Sequence, residues 1–121
     1  MPIGQKISMH DAELRFVDWG PGYLDQGENA FFGVVQLRPG DDFANHYHEK
    51  HDESFLVING EVEIWLNREE LTVLQKNDFI RCPVGMEHYL RNVGTEVFTA
   101  FFVKAPGVDA DKVEVPWKPI G

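Results

Sequence analysis

Reversal signals recur at short intervals along this chain: Gly20-Pro21-Gly22, Pro39-Gly40-Asp41-Asp42, Asn59-Gly60, Pro83-Val84-Gly85 and Val93-Gly94-Thr95. The runs between them are short and β-rich, a spacing that points to an all-β sandwich or barrel. Strands are expected over 14–18, 30–38, 45–47, 53–58, 61–67, 70–74, 79–82, 88–92 and 97–103. Asn59-Gly60, flanked by two alternating runs, reads as a hairpin turn. Asn67-Arg68-Glu69 reads as the next reversal. Ser8 to Leu14 can form a helical turn, but no sustained 3.6-residue period supports a longer helix.

A chain of 121 residues supports one domain. Its 43% hydrophobic content, with nine phenylalanines and three tryptophans, is enough for a compact core. Alternation within the runs makes Phe55, Val57, Ile64, Leu90, Phe98, Ala100 and Phe102 candidates for the barrel lining. A register shift of one residue would reverse every such assignment. On the run 61–67 one face is core, and Trp65 suggests that the other is partly covered, as by a second subunit. Residues 104–121 carry three prolines and mixed charge, and read as an extended tail packed through Val115 and Trp117.

A formal net charge of −9 and the lack of any run of lysines or arginines argue against nucleic-acid binding, because phosphate recognition needs a basic surface. No apolar run approaches the ~20 residues of a transmembrane helix. The N-terminal Met1-Pro2-Ile3-Gly4-Gln5-Lys6 lacks the apolar segment of a signal peptide. The single cysteine, Cys82, leaves no intramolecular disulfide and makes a reduced, cytoplasmic setting the default. Buried cysteine behaves as a small hydrophobe more often than as a nucleophile, so Cys82 is assigned to the core.

Histidine and glutamate placement adds chemistry to this frame. Gly40-Asp41-Asp42-Phe43-Ala44-Asn45-His46-Tyr47-His48-Glu49-Lys50-His51-Asp52-Glu53, closed by Gly60, has the form G-x5-H-x-H-x4-E-x6-G. The stretch from Asn77 through Pro83, Gly85 and His88 to Asn92 has the form N-x5-P-x-G-x2-H-x3-N. Together they resemble the two motifs of the cupin superfamily, over roughly residues 40–92. The resemblance implies a single-domain jelly-roll β-barrel, its motif-bearing core at about 30–103 and its tail at 104–121. It also implies one metal held by His46, His48, Glu53 and His88. Where Asn77 stands, the family usually has glycine. Asparagine tolerates the left-handed backbone better than most residues, so the turn is retained.

Strand geometry is compatible with that ligand set. Residues i and i+2 share a face, so His46 and His48 can both point inward while Tyr47 and Tyr89 face away. Three imidazoles and one carboxylate suit iron, manganese, nickel, cobalt or zinc as the divalent ion better than calcium or magnesium. His51 lies close enough in sequence to replace His48 or Glu53. His10 fits no motif and is read as a surface residue. Histidines in a loop commonly have no function, and it is the joint match of three histidines, a glutamate, a glycine and a Pro-x-Gly that carries the assignment.

No organic cofactor is expected, and the partners expected are a small-molecule substrate or ligand and a second copy of the chain in a homodimer. The leading expectation is a metal-dependent enzyme acting on a small oxygen-rich molecule, such as a sugar, sugar acid or keto acid, by non-redox isomerase, epimerase or lyase chemistry. An iron-dependent dioxygenase is the alternative, and a non-catalytic binding or sensor protein the next. Glu53, His51 and Glu87 are the candidates for proton transfer. Arg38, Arg81 and Arg91 are the cations considered for an anionic substrate, with surface solvation the expected role of all three.

Overall fold

The computed structural model describes residues 4–120. Met1, Pro2 and Ile3 of the stretch read for a leader, and Gly121 at the end of the tail, lie outside them. Strands β1 (Gly20–Gln26), β2 (Phe31–Leu37), β3 (Asp42–His48), β4 (Asp52–Asn59) and β5 (Val62–Leu66) are followed by β6 (Glu70–Leu74), β7 (Phe79–Cys82), β8 (His88–Arg91), β9 (Phe98–Ala105) and β10 (Lys112–Glu114). They form two five-stranded antiparallel sheets, ordered β1-β2-β9-β4-β7 and β10-β3-β8-β5-β6. Among the described residues the only helix is one 3-10 turn, Met9–Asp11, capped by the Ser8 side chain. No described helix is long and apolar enough to cross a membrane.

Alternation produces the core. On β4, Glu53, Phe55 and Val57 are buried while Leu56 and Ile58 are exposed. Phe98, Ala100 and Phe102 on β9, Val62 and Ile64 on β5, and Leu90 on β8 complete a cluster contributed by both sheets. All the residues expected to line the barrel belong to it. Cys82 is buried in the same cluster. Burial, then the charge of Glu53, pushes its thiol up to about 12, which keeps it an unreactive neutral group.

Three local readings are corrected. The expected strand over 14–18 is instead a tight reversal closed by a single Leu14–Val17 bridge, and the strand begins at Gly20. Gly20-Pro21-Gly22, read as a turn, lies inside β1. That strand is a sheet edge, where the missing proline N–H costs no ladder bond. Asn59-Gly60 does reverse the chain, with Gly60 at φ +75°, but it is not a hairpin. Strand β4 pairs with β7 and β9 while β5 pairs with β6 and β8, so this turn passes from one sheet to the other. The reversal at Asn67-Arg68 is a true hairpin between β5 and β6, both residues having positive φ. Asn77 also adopts the left-handed conformation, φ 77°.

The tail is not merely extended. Lys112–Glu114 forms β10 on the edge of β3, placing Lys112 opposite His48. Further on, the Trp117 ring packs edge-on against Trp65 and Tyr89, with centroids 6.0 and 6.1 Å away. Around Trp65 and Tyr89 the outer face of this sheet is thus covered by the chain's own tail, while Leu71 and Val73 of β6 stay exposed. Tyr89 is buried there, donating its hydroxyl to Asp42.

Gly33 on β2 shows how tightly neighbouring strands of one sheet pack against each other. A Cβ at this position would clash with the Phe102 ring and lie 2.5 Å from the Gly22 carbonyl oxygen, a backbone atom that cannot swing aside. Gly33→Ala is therefore expected to cost about 1–3 kcal/mol by overpacking. Gly27→Ala, whose nearest new neighbour would be 3.6 Å away, should be close to neutral. Urea midpoints of the two variants check this; equal midpoints would contradict the packing described.

Candidate metal centre

Pairing of β3 with β8 sets His46 directly opposite His88. Their rings lie side by side with centroids 4.3 Å apart. His48, two residues along β3, points the same way. Glu53 reaches the group from β4 in the facing sheet. One atom from each of the four side chains falls within 4.8 Å of every other. All four residues are buried, at 5% exposure or less.

Three ring nitrogens converge on one carboxylate oxygen. Glu53 Oε1 is 2.9 Å from His48 Nε2, 3.1 Å from His88 Nε2 and 3.7 Å from His46 Nε2. The far sides of two rings are already committed. His46 Nδ1 lies 2.7 Å from the Ala44 carbonyl and His88 Nδ1 lies 3.1 Å from the Met86 carbonyl. A carbonyl only accepts, so both Nδ1 atoms carry the proton. In the neutral ring, Nε2 then presents a lone pair to an acceptor oxygen.

Burial holds His46 neutral, pushing it down to about 4 against the partial opposition of Glu53. Burial works to raise the Glu53 carboxyl, but hydrogen bonds that the surrounding imidazoles, His46 first, donate in their protonated form outweigh it and hold Glu53 well below the usual carboxylate range. An ionised carboxylate facing ring lone pairs in a dry site is an arrangement that a cation completes. Backbone carbonyls fixing the tautomers from behind are the usual support for histidine ligands. The residues present fit one divalent ion with nitrogen and oxygen donors.

His51 is not in this group. It is buried beside His48, ring centroids 4.2 Å apart, with Nδ1 3.3 Å from Asp111 Oδ2. Asp111 itself accepts the backbone N–H groups of Glu49, Lys50 and His51, closing the loop between β3 and β4. Glu87 is turned away from the cluster: Asn45 and Arg68 hold its carboxylate at 2.7 and 2.8 Å. His10 is exposed at the 3-10 turn.

The cations considered from sequence all lie outside the pocket and are tied to acids instead. Arg38 binds Asp41 and Asp18, Arg81 binds Asp52, and Arg91 is half-buried on Glu63. The pocket that opens on His46 and Glu53 is lined instead by Arg15, Lys104 and Lys112, with Phe43, Phe55 and Phe102 among its apolar walls. Sequence reasoning missed all three cations. For Lys104 a signal existed: it continues the inward alternation Phe98, Ala100, Phe102 by one step.

Comparison with known proteins agrees with this architecture. The model of the cupin domain family matches residues 33–104, more than half of the chain, and the chain belongs to that family. The chain is 32% identical over 78 residues to a protein named polyketide synthase CurC from Streptomyces cyaneus, matching 64% of this chain and 50% of that protein. It is 33% identical over 73 residues to quercetin 2,3-dioxygenase of Bacillus subtilis, matching 52% of this chain and 21% of the enzyme. The chain thus spans half the length of one relative and about a fifth of the other. In fold, it superimposes with a TM-score of 0.81 on a conserved double-stranded β-helix protein from Klebsiella pneumoniae. The two share 24% identity, covering 94% of this chain and 99% of that one.

Proposed function

We propose that this cupin is a metal-dependent enzyme in which His46, His48, Glu53 and His88 hold one divalent transition ion, and that it acts on a small oxygen-rich molecule without net redox change. The substrate classes are sugars, sugar acids and keto acids, and the reaction is an isomerisation, epimerisation or lyase step. The observation that carries this reading is the convergence of three imidazole Nε2 atoms on the buried Glu53 oxygen at the inner end of a pocket. Four protein donors leave room on an ion of higher coordination number for a substrate oxygen. The bound ion would act as a Lewis acid on that oxygen. Iron, manganese, nickel, cobalt and zinc all suit the donor set.

The remaining work falls to the chain's own groups. Phe55, Phe102 and Leu90 make one side of the pocket dry and hold the substrate's carbon skeleton against the site. Glu53 is committed to the cluster and Glu87 to Arg68 and Asn45, so His51 is the proposed proton carrier. Burial, then the neighbouring His48, holds His51 down at about 4. It is therefore neutral at physiological pH, and its Nε2 has no hydrogen-bond partner among the described residues.

The similarity to quercetin 2,3-dioxygenase favours a second reading, iron-dependent oxygen insertion with the same four residues. A panel of sugars, sugar acids and keto acids, run with and without oxygen on protein reconstituted with each metal, separates the two. Turnover that persists without oxygen and survives exchange to zinc or manganese is the expected result. Activity confined to iron plus oxygen would replace the first reading by the second. Tight binding of one compound without turnover under any condition would make the protein a binding module.

A further inference from the structure

The chain carries eleven lysines and arginines against twenty acids, yet three of the eleven converge where the metal cluster opens to the surface. Arg15 and Lys112 approach the same ring, Phe43, with the guanidinium carbon 5.8 Å and the ammonium nitrogen 5.2 Å from its centroid. Phe43 also packs edge-on against the ligand-set residue His46, centroids 5.2 Å apart. Across the pocket, Lys104 lies over Tyr23 and Phe102 at 5.1 and 5.3 Å and donates to the Tyr23 hydroxyl at 2.8 Å. The cations thus arrive from the N-terminal segment, from β9 and from β10, three places far apart in sequence.

Their partners set this group apart from the other cations near by. Among the described residues no carboxylate pairs with Arg15 or Lys104, whereas Arg38, Arg68, Arg81 and Arg91 each hold at least one. Lys112 has only the exposed Glu114, at 3.2 Å. The same three cations also border a second cavity of about 390 Å³, which reaches His48 and His51. Beside His46 and Glu53 the space narrows to about 20 Å³, room for roughly one water-sized group. His51, nine-tenths buried and more, leaves its Nε2 unsatisfied in the wall of the larger cavity. The shape admits a small molecule in the outer space, with one or two atoms reaching the cluster.

We propose that this site selects substrates bearing a carboxylate, and that Arg15 and Lys104, assisted by Lys112, are the groups that bind it. Of the substrate classes above, this singles out the sugar acids and keto acids over neutral sugars, and it rests on the reading of the cluster as a metal-dependent active site. A partly dry pocket strengthens a charge-assisted hydrogen bond to a carboxylate. Arg15 and Lys104, which no carboxylate pairs, also raise the local concentration of anions around a protein that otherwise repels them, against the opposing charge of Asp109 and Asp111 in the wall of the larger cavity.

The test is calorimetric binding to metal-loaded protein of pyruvate, malonate and 2-oxoglutarate, each beside its neutral amide. Metal content and melting temperature are measured on every sample. At least one acid should bind and its amide should bind much more weakly. Lys104→Gln and Arg15→Gln should each weaken that binding by roughly tenfold, with metal content and melting temperature unchanged. Arg81→Gln, which removes a cation outside the pocket, should bind as the unaltered protein does. The inference is overturned if no acid binds better than its amide, or if acid binding survives Lys104→Gln and Arg15→Gln intact. Phosphate competing as effectively as every carboxylate would replace carboxylate by phosphate as the anion selected and overturn it as stated. A protein that takes up no metal but still binds acids through Lys104 would retire the metal-enzyme reading and leave this inference standing.

Discussion

Alanine in place of His46, His48 or His88 is expected to leave purified protein with less than about a tenth of the metal held by the unaltered chain. Each change removes one of four donors that meet within 4.8 Å and leaves a buried carboxylate facing a smaller set of nitrogens. Metal affinity depends steeply on the number of deprotonated donors available. Glu53→Gln should lower metal content as well, because the amide keeps the size but loses the charge that the ion neutralises. His51→Ala and Glu87→Gln should retain the metal. The first residue sits beside His48 rather than among the donors, and the second is held by Arg68 and Asn45. Metal analysis by mass spectrometry, with melting temperature measured alongside, decides the matter. If His51→Ala loses the metal while Glu53→Gln keeps it, His51 takes the place of the carboxylate.

How much of this was legible beforehand depends on whether a feature is local or long-range. Two-residue alternation suffices to put Phe55 and Val57 inside and Leu56 outside, because the pleat imposes it wherever a strand forms. It likewise turns His46 and His48 the same way. The family resemblance supplied what alternation cannot, namely that His88 would join His46 and His48, while its place directly opposite His46 is visible only in the pairing of β3 with β8. Asn59-Gly60 marks the other limit. A left-handed glycine reverses the chain, but whether the flanking strands pair is settled by sheet order, and here β9 and β8 take the places a hairpin partner would have had. At Gly20-Pro21-Gly22 the turn signal is overridden because an edge strand has no ladder bond to lose at proline.

The pocket cations were hidden for similar reasons. Arg15 belongs to the segment 14–18 that was expected to be a strand, and nothing in its neighbourhood shows that it instead folds back over Phe43. Lys112 lies in a segment expected to be only an extended tail, and its inward position comes from pairing with β3 opposite His48. Lys104 was one step of alternation beyond Phe102 and could have been assigned. A charge at the end of an apolar run reads as the strand leaving the core, whereas here it marks the opening of a pocket.

Stripped of metal, the protein should lose stability steadily as the pH falls from about 6.5 to about 4. The sign follows from His46. Its folded value, about 4, lies below the ordinary 6.5, chiefly because burial penalises the charged ring. Across that window the unfolded chain binds a proton that the folded chain does not, so acid favours unfolding. His46 alone corresponds to roughly 3 kcal/mol over the full window. Glu53 acts in the same direction at lower pH: its carboxyl is held well below its ordinary 4.5. The stability this provides is present above 4.5 and is lost as the pH falls through the depressed folded value. Saturating metal should lift the curve at neutral pH, by about 2.7 kcal/mol at a hundredfold excess over the dissociation constant. It should also steepen the acid limb, because protons compete with the ion for the same nitrogens. Urea denaturation from pH 7.5 to 4, on chelator-treated and metal-loaded protein and on a His46→Leu variant, measures each part. The metal-free variant should show a shallower decline than the metal-free parent. Equal slopes would mean that His46 is not the buried neutral ring described, and the lone-pair argument for a cation at Glu53 would lose one of its supports.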